Sequence, residues 1–215
     1  MPANHSYSKA RTLILEQRFN DSARKSIFEQ NVDTSNRIIY LTAPAQLGNE
    51  EENLGYHAAS YFLKGMNLLN SLNTKKITLI LNCPGGPVEN GFLIYDSITT
   101  SKSPVDVRVY GEAASMGTII MQACRNRSLS PNSTLMIHDG SISVQNSPIR
   151  STVNFAEFVE RRLERRYEIY EKRTGLPKKF WKEEFSHDRF MTAEEAVKLK
   201  LADGILPEAK WRARI

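Results

Sequence analysis

Short apolar runs alternate with segments of helical periodicity along most of the chain. Four runs predict buried strands, namely RIIYL, KITLILN, VDVRVYG and STLMIHD. Apolar residues at helical spacing predict helices over YHAASYFLKGMNLLNSL, NGFLIYDSITTS and MGTIIMQAC, and SISVQNS is a candidate fifth strand. Strands that alternate with helices favour an α/β fold with a largely parallel sheet.

The last third of the chain is dominated by helical signals. The segment TVNFAEFVERRLERRYEIYEKRTG predicts a long amphipathic helix that ends at Gly175. Five apolar residues form one stripe along it: Phe155, Val159, Leu163, Tyr167 and Tyr170. In the segment TAEEAVKLKLADG, Thr192 and Glu195 have the spacing of a capping box, and the helix is expected to close near Gly204.

Length and hydropathy indicate one domain preceded by an arm. Residues 1–30 lack clear periodicity and predict an arm, whereas residues 31–215 are long enough for a single domain with a sizeable core. No apolar run is long enough to span a bilayer, and the N-terminal residues lack the continuous hydrophobic segment of a signal peptide. We therefore expect a cytoplasmic protein without a membrane partner, or one from an organelle matrix or stroma if the source is eukaryotic.

Charge and cysteine content exclude several classes of function. The net charge of +5 is modest, and the basic residues of ERRLERRYEIYEKR alternate with acids. This pattern predicts a solvated helix face rather than a nucleic-acid site. Two cysteines make no disulfide framework, and the four histidines show no ligand spacing, so we expect no metal site.

The segment VYGEAASMGTII places Ser115 among unusually small residues between two apolar runs. Small residues let backbone or ligand approach closely, and glycine permits a tight strand-to-helix turn that holds a serine hydroxyl at a helix N-terminus. A packed helix start with a capping serine explains the same residues. Further groups are needed to separate these two interpretations.

Three other parts of the chain supply what a nucleophilic serine requires. His138 ends a predicted strand and is a candidate base, and Asp188 is a carboxylate that can orient it. The turn CPGGP and the residue after the serine, Met116, offer backbone N–H groups to an oxyanion. Together these residues furnish every part of an acyl-transfer site.

The motifs LNCPGGP, YGEAASMG, LMIHD and HDRFMTAEEAVKLKLADGIL follow one another along the chain. In this order they resemble the ClpP family, the proteolytic subunits of Clp protease, over residues 35–206. The resemblance implies an α/β fold of the ClpP/crotonase type, with repeated β-β-α units and a protruding handle helix at about residues 150–175. It also implies that residues 31–215 form a single serine peptidase domain.

The resemblance assigns a role to each candidate residue. It implies that Ser115 is the nucleophile, His138 the general base and then acid, and Asp188 the residue that orients the imidazole. Gly86 and Met116 are expected to supply the oxyanion-hole N–H groups. Because only alternate residues of a strand face a given neighbour, we expect Val88 to pair with an extended substrate strand although Pro87 has no N–H.

The resemblance also implies partners. We expect a homo-oligomer or mixed Clp rings, arranged as two stacked heptamers, an AAA+ unfoldase that uses ATP, and unfolded polypeptides as substrates. The chain itself is expected to need no cofactor. Two alternatives remain open: a non-catalytic structural subunit of a mixed ring, against which the intact triad argues, and a crotonase-like acyl-CoA enzyme, which does not need the triad.

Overall fold

The computed structural model describes residues 26–27, 31–42, 54–140 and 148–208. Most of the predicted arm, the loop at 43–53 and the candidate strand at 141–147 lie outside these residues. Eight strands form one sheet: β1 Val32–Asp33, β2 Ile38–Thr42, β3 Ile77–Cys83, β4 Val105–Ala114, β5 Arg127–Leu129, β6 Thr134–Ile137, β7 Arg189–Met191 and β8 Gly204–Ile205.

Helices connect and cover these strands. Six have defined bounds: α1 Tyr56–Leu72, α2 Val88–Thr99, α3 Met116–Gln122, α4 Ile149–Thr174, α5 Lys178–Glu184 and α6 Ala193–Lys198. Helix α1 has the predicted bounds, whereas α4 begins at Ile149, three residues before the predicted start at Thr152, and ends one residue before Gly175. None of the helices in the described residues combines the length and apolar character needed to cross a membrane.

The sheet runs in the order β1-β2-β3-β4-β5-β8, with β6 paired to the far end of β4 and β7 paired to β6. All pairings among β2, β3, β4, β5, β6 and β8 are parallel, and only β1 and β7 run antiparallel to their neighbours. The prediction of an α/β fold with a largely parallel sheet is confirmed. This topology brings the carboxyl ends of β3, β4 and β6 to one edge, where the CPGGP turn follows β3, Ser115 follows β4 and His138 follows β6.

Helices α2 and α6 also have bounds that differ from the predicted ones. Helix α2 begins at Val88 rather than Asn90, because Pro87 takes the N-cap position and its fixed φ of −53° leads directly into the helix. Helix α6 ends at Lys198 rather than near Gly204. Its last turn closes through hydrogen bonds from the N–H of Lys200 to Val197 and from that of Leu201 to Ala196, with Lys200 at φ 58°.

Helix α4 changes its environment along its length. Tyr167 and Tyr170 are buried within the same chain, at 6% and 0% exposure, whereas Phe155 is 45% exposed. The stripe read from the sequence is therefore not one surface. Its C-terminal part belongs to the core of this chain, whereas Phe155 near its N-terminal end is exposed.

Candidate active site

Ser115 occupies the tight turn between β4 and α3. Its backbone has φ 52° and ψ −120°, a conformation that residues with a side chain rarely adopt. The carbonyl of Met136 on β6 fixes this turn by accepting the Ser115 N–H at 2.8 Å. A strained serine between a strand and a helix presents its hydroxyl outward, as in nucleophile elbows.

The small residues of the two glycine-rich segments are explained by close backbone approach. A Cβ at Gly85, which has φ +101°, would lie 2.7 Å from the Cβ of Ser115. A Cβ at Gly117 would lie 2.8 Å from the carbonyl oxygen of Cys83. Both distances are shorter than a Cβ atom tolerates. The CPGGP turn and the turn at Ser115 can therefore pack this closely only because Gly85 and Gly117 have no side chain.

His138 follows β6 directly, and strand register places it beside Ser115. Ala114 pairs with Met136 in the parallel β4–β6 ladder, so the residues that continue both strands emerge at the same edge. The imidazole Nε2 of His138 lies 2.8 Å from Ser115 Oγ, a full hydrogen-bond contact. The serine hydroxyl therefore has a nitrogen base in place to accept its proton.

Asp188 reaches the other side of the same imidazole through the antiparallel β6–β7 pair. Ile137 pairs with Arg189, so Asp188, one residue before β7, falls opposite His138. Its Oδ1 lies 3.5 Å from His138 Nδ1, within ion-pair distance but longer than a normal hydrogen bond. The carboxylate is 66% exposed in the single chain, and catalytic contacts of this kind are often long until substrate binds.

The proposed oxyanion donors lie in the two segments that meet at Gly85. A Cβ at Gly85 would be 3.3 Å from the backbone nitrogen of Met116, and Gly86 follows at φ +150° against Leu54. Met116 is the first residue of α3, where an N–H has no partner within the helix.

The expectation for Val88 needs a correction. Val88 is the first residue of α2 rather than part of an extended segment, since the helix starts directly after Pro87. Its N–H is one of the donors that a helix start leaves free of intrahelical partners. Any contact between Val88 and a substrate would therefore use this terminal donor and not a strand ladder.

Cys83 is the other nucleophilic side chain near the turn. It is 3% exposed, and burial, partly offset by a hydrogen bond at Gly85, raises the pKa of its thiol to about 11. Thiols act as nucleophiles in the thiolate form. At neutral pH Cys83 is thus a packing residue, whereas the Ser115 hydroxyl lies within hydrogen-bond distance of a nitrogen base.

Sequence reasoning missed the polar contacts that helix α4 makes beneath the site. Arg166 donates to the carbonyls of His138 and Asp139, Tyr167 donates to the Asp139 carboxylate, and Tyr170 bonds to Thr118. Periodicity marked the two tyrosines only as apolar, and Arg166 only as part of a charged face. No group of three potential metal-ligating side chains occurs within the part of the chain that the structure describes.

Comparison with known proteins agrees with this geometry. The sequence-family model described as Clp protease matches residues 34–209. The chain belongs to the Clp protease family. It is 32% identical over 177 residues to an ATP-dependent Clp protease proteolytic subunit from Deinococcus radiodurans, a match that covers 81% of this chain and 82% of that protein.

A solved structure shows the same fold as this member of the Clp protease family. A ClpP1 mutant from Listeria monocytogenes superposes with a TM-score of 0.71 at 24% identity, covering 81% of this chain and 94% of that one. The expectation of a ClpP-type α/β fold is therefore confirmed, as is the resemblance on which it rested.

Proposed function

We propose that the chain is a serine endopeptidase subunit that hydrolyses unfolded polypeptides through Ser115, His138 and Asp188. The observation that carries this proposal is the 2.8 Å contact between His138 Nε2 and the hydroxyl of a serine held at positive φ. Membership of the Clp protease family supports the same reaction class.

The geometry suggests how the reaction proceeds. His138 Nε2 accepts the Ser115 proton while Oγ attacks the scissile carbonyl, and the N–H groups of Gly86 and Met116 bind the resulting oxyanion. The imidazolium then protonates the leaving amine, and a water molecule hydrolyses the acyl-enzyme by the same steps. Asp188 keeps the Nδ1 proton on the side away from the serine and stabilises the imidazolium.

Assembly and energy supply follow from the family. Its members form oligomeric rings and generally work with Clp unfoldases, so we propose two stacked heptameric rings, homomeric or mixed, closed by an AAA+ unfoldase. ATP is then consumed by the unfoldase, and the chain itself uses no cofactor. The unpartnered apolar part of α4 supports a contact with a further subunit.

A serine-directed fluorophosphonate probe tests the proposed nucleophile. We expect a single labelled peptide containing Ser115 in the wild-type protein, and no label in Ser115→Ala. Loss of a triad residue lowers turnover by several orders of magnitude, so the variant should also be inactive on small peptides. Ser97→Ala, a half-buried serine whose hydroxyl bonds only within α2, is the matched control.

The outcomes also separate the alternatives. A non-catalytic ring subunit takes up no probe at Ser115. A crotonase-like acyl-CoA enzyme keeps its activity in Ser115→Ala, because its oxyanion donors are backbone groups. Wild-type peptidase rates in Ser115→Ala would exclude the proposed mechanism.

A further inference from the structure

Helix α4 makes three polar contacts with the segments that carry Ser115 and His138. All three come from one helical turn, formed by Arg166, Tyr167 and Tyr170. Each of the three donor side chains is at most 6% exposed, whereas the accepting Asp139 side chain is 47% exposed. Hydrogen bonds from buried donors fix geometry, since breaking one leaves a buried group unsatisfied.

The first contact holds the histidine segment by its backbone. Arg166 Nη2 donates to the carbonyl of Asp139 at 2.7 Å, and Nη1 donates to the carbonyl of His138 at 3.4 Å. The guanidinium lies 5.4 Å from the centre of the Phe185 ring, which packs against its other side. A planar guanidinium held in this way restrains the backbone that follows His138.

The second contact restrains the next residue. Tyr167 donates its hydroxyl to Asp139 Oδ1 at 2.8 Å. Burial, reinforced by the hydrogen bond to this carboxylate, raises the pKa of Tyr167, so the hydroxyl stays protonated and remains a donor. Helix α4 thus forms hydrogen bonds with two successive backbone carbonyls, those of His138 and Asp139, and with the Asp139 side chain.

The third contact reaches the serine. Thr118 Oγ1 donates to the Ser115 carbonyl at 2.7 Å. A hydroxyl has a single proton, so the hydrogen bond between Tyr170 and Thr118 must take its proton from Tyr170. Tyr170 therefore orients the Thr118 hydroxyl, and this hydroxyl in turn donates to the Ser115 carbonyl in the strained turn.

We propose that Arg166, Tyr167 and Tyr170 are positioning residues for peptide hydrolysis, which set the distance between Ser115 and His138 from a shared helical turn. This inference rests on the proposed function. A positioning role differs from a purely structural role in the kinetic constant that changes when these contacts are lost. A shift of about 1 Å between reacting groups costs about a hundredfold in rate, whereas substrate affinity is largely set elsewhere.

The test separates kcat from KM in variants that remove donors but keep bulk. We expect Arg166→Met to lower kcat on a small fluorogenic peptide by about 10- to 100-fold with KM within about twofold of wild type. Arg166→Lys should recover part of that loss. Tyr167→Phe and Tyr170→Phe, which lose only a hydroxyl, should each lower kcat about 3- to 10-fold.

Arg173→Met is the matched control. Arg173 lies on the same helix and donates to a backbone carbonyl, that of Cys124, at 2.7 Å, but that segment carries no site residue. We expect Arg173→Met to lose stability with kcat within about twofold of wild type. All rates are expressed per assembled subunit, with the particle mass measured for each variant.

The rate of fluorophosphonate labelling at Ser115 gives a second measurement. It should fall in parallel with kcat in Arg166→Met and in the two phenylalanine variants. Wild-type kcat and labelling rates in folded, assembled Tyr167→Phe and Tyr170→Phe would overturn the positioning role and leave the proposed function standing. A wild-type protein that takes up no probe at Ser115 would refute the proposed function itself.

Discussion

At the scale of single residues, the site depends on backbone positions that only glycine can fill. Ser115 holds a positive φ because β6 accepts its N–H and Gly85 lets the neighbouring turn approach within contact distance. The strain at Ser115 is of a kind that costs about 1–3 kcal/mol and persists where the surroundings enforce it. The geometry of Ser115, the proposed nucleophile, is therefore a property of two segments and not of the serine alone.

Gly85→Ala should test this dependence. The added methyl would meet the Ser115 Cβ at 2.7 Å and the Ala114 carbonyl at 2.9 Å, so the serine turn must shift. We expect kcat on a small peptide to fall about a hundredfold or more, because displacements near 1 Å have that effect. Gly204→Ala, where an added Cβ meets nothing within 4 Å, is the control and should keep the wild-type rate. Equal rates in both variants would contradict this account.

At the scale of elements, α4 joins two environments. Its C-terminal half packs on the segments that carry Ser115 and His138 through Arg166 and the two tyrosines. Its N-terminal half exposes several large apolar side chains in the single chain: Ile149 at 84%, Val153 at 50%, Phe155 at 45% and Phe158 at 42%. At about 100° per residue, Ile149 and Val153 lie on one side of the helix, and Phe155 and Phe158 lie on the opposite side. Large apolar side chains left exposed in this way are typical of a subunit interface.

Phe155→Asp should separate the proposed stacked rings. Burying a carboxylate without a partner is costly, so the double ring should yield particles of about half the mass in sedimentation velocity. Glu157→Gln, which changes an exposed residue of the same helix, should leave the mass unchanged. Tyr167→Asp is unsuitable for this purpose, since Tyr167 is buried in its own chain. A Phe155→Asp particle of wild-type mass would exclude this face from the ring contact.

At the scale of the whole molecule, an ion pair between the buried Arg127 and the partly exposed Asp203 fastens β8 to the sheet. The guanidinium of Arg127, at the start of β5, donates from Nε to Asp203 Oδ2 at 3.0 Å and from Nη2 to Oδ1 at 2.5 Å. Its backbone N–H also donates to Asp203 Oδ2 at 2.8 Å. Partial burial alone would raise the pKa of Asp203, but these bonds outweigh it and hold the pKa below the ordinary 3.8.

This ion pair predicts the direction of a pH effect on stability. A carboxyl whose pKa is lowered by folding stabilises the native state above its ordinary pKa, and that contribution is lost as pH falls through the folded pKa. At pH 7 we expect Asp203→Asn to lower the free energy of unfolding by about 1 kcal/mol, a value reduced by solvent screening of the half-exposed carboxylate.

The comparison is made by urea unfolding at pH 7 and at pH 3, at one protein concentration. The difference between wild type and Asp203→Asn should shrink at pH 3, because the Asp203 carboxyl of the unfolded chain, at its ordinary pKa of 3.8, then binds a proton that the folded state resists. Asp96→Asn, which changes an exposed carboxyl on α2, should show little difference at either pH. A wild-type advantage that is as large at pH 3 as at pH 7 would refute the assigned pKa direction.

The sequence alone determined the long elements and the candidate residues. Helices α1 and α4 and strands β2, β3, β4 and β6 carry enough periodic positions for their pattern to be read locally. Four motifs in one order indicated the family. They also singled out Ser115, His138 and Asp188, because each of these residues lies within a motif that is recognised from its neighbours in the sequence.

Only the tertiary structure decided what depends on contacts between distant segments. Strands β5 and β8 have three and two residues, too few to show a period, and exist through pairing with their neighbours. Periodicity detects an apolar helix face but not what covers it, so it joined Phe155 and Tyr170 in one stripe. The turn conformation of Ser115 and the contacts of Arg166 with the segment after His138 arise from packing, because both are fixed by groups far away in sequence.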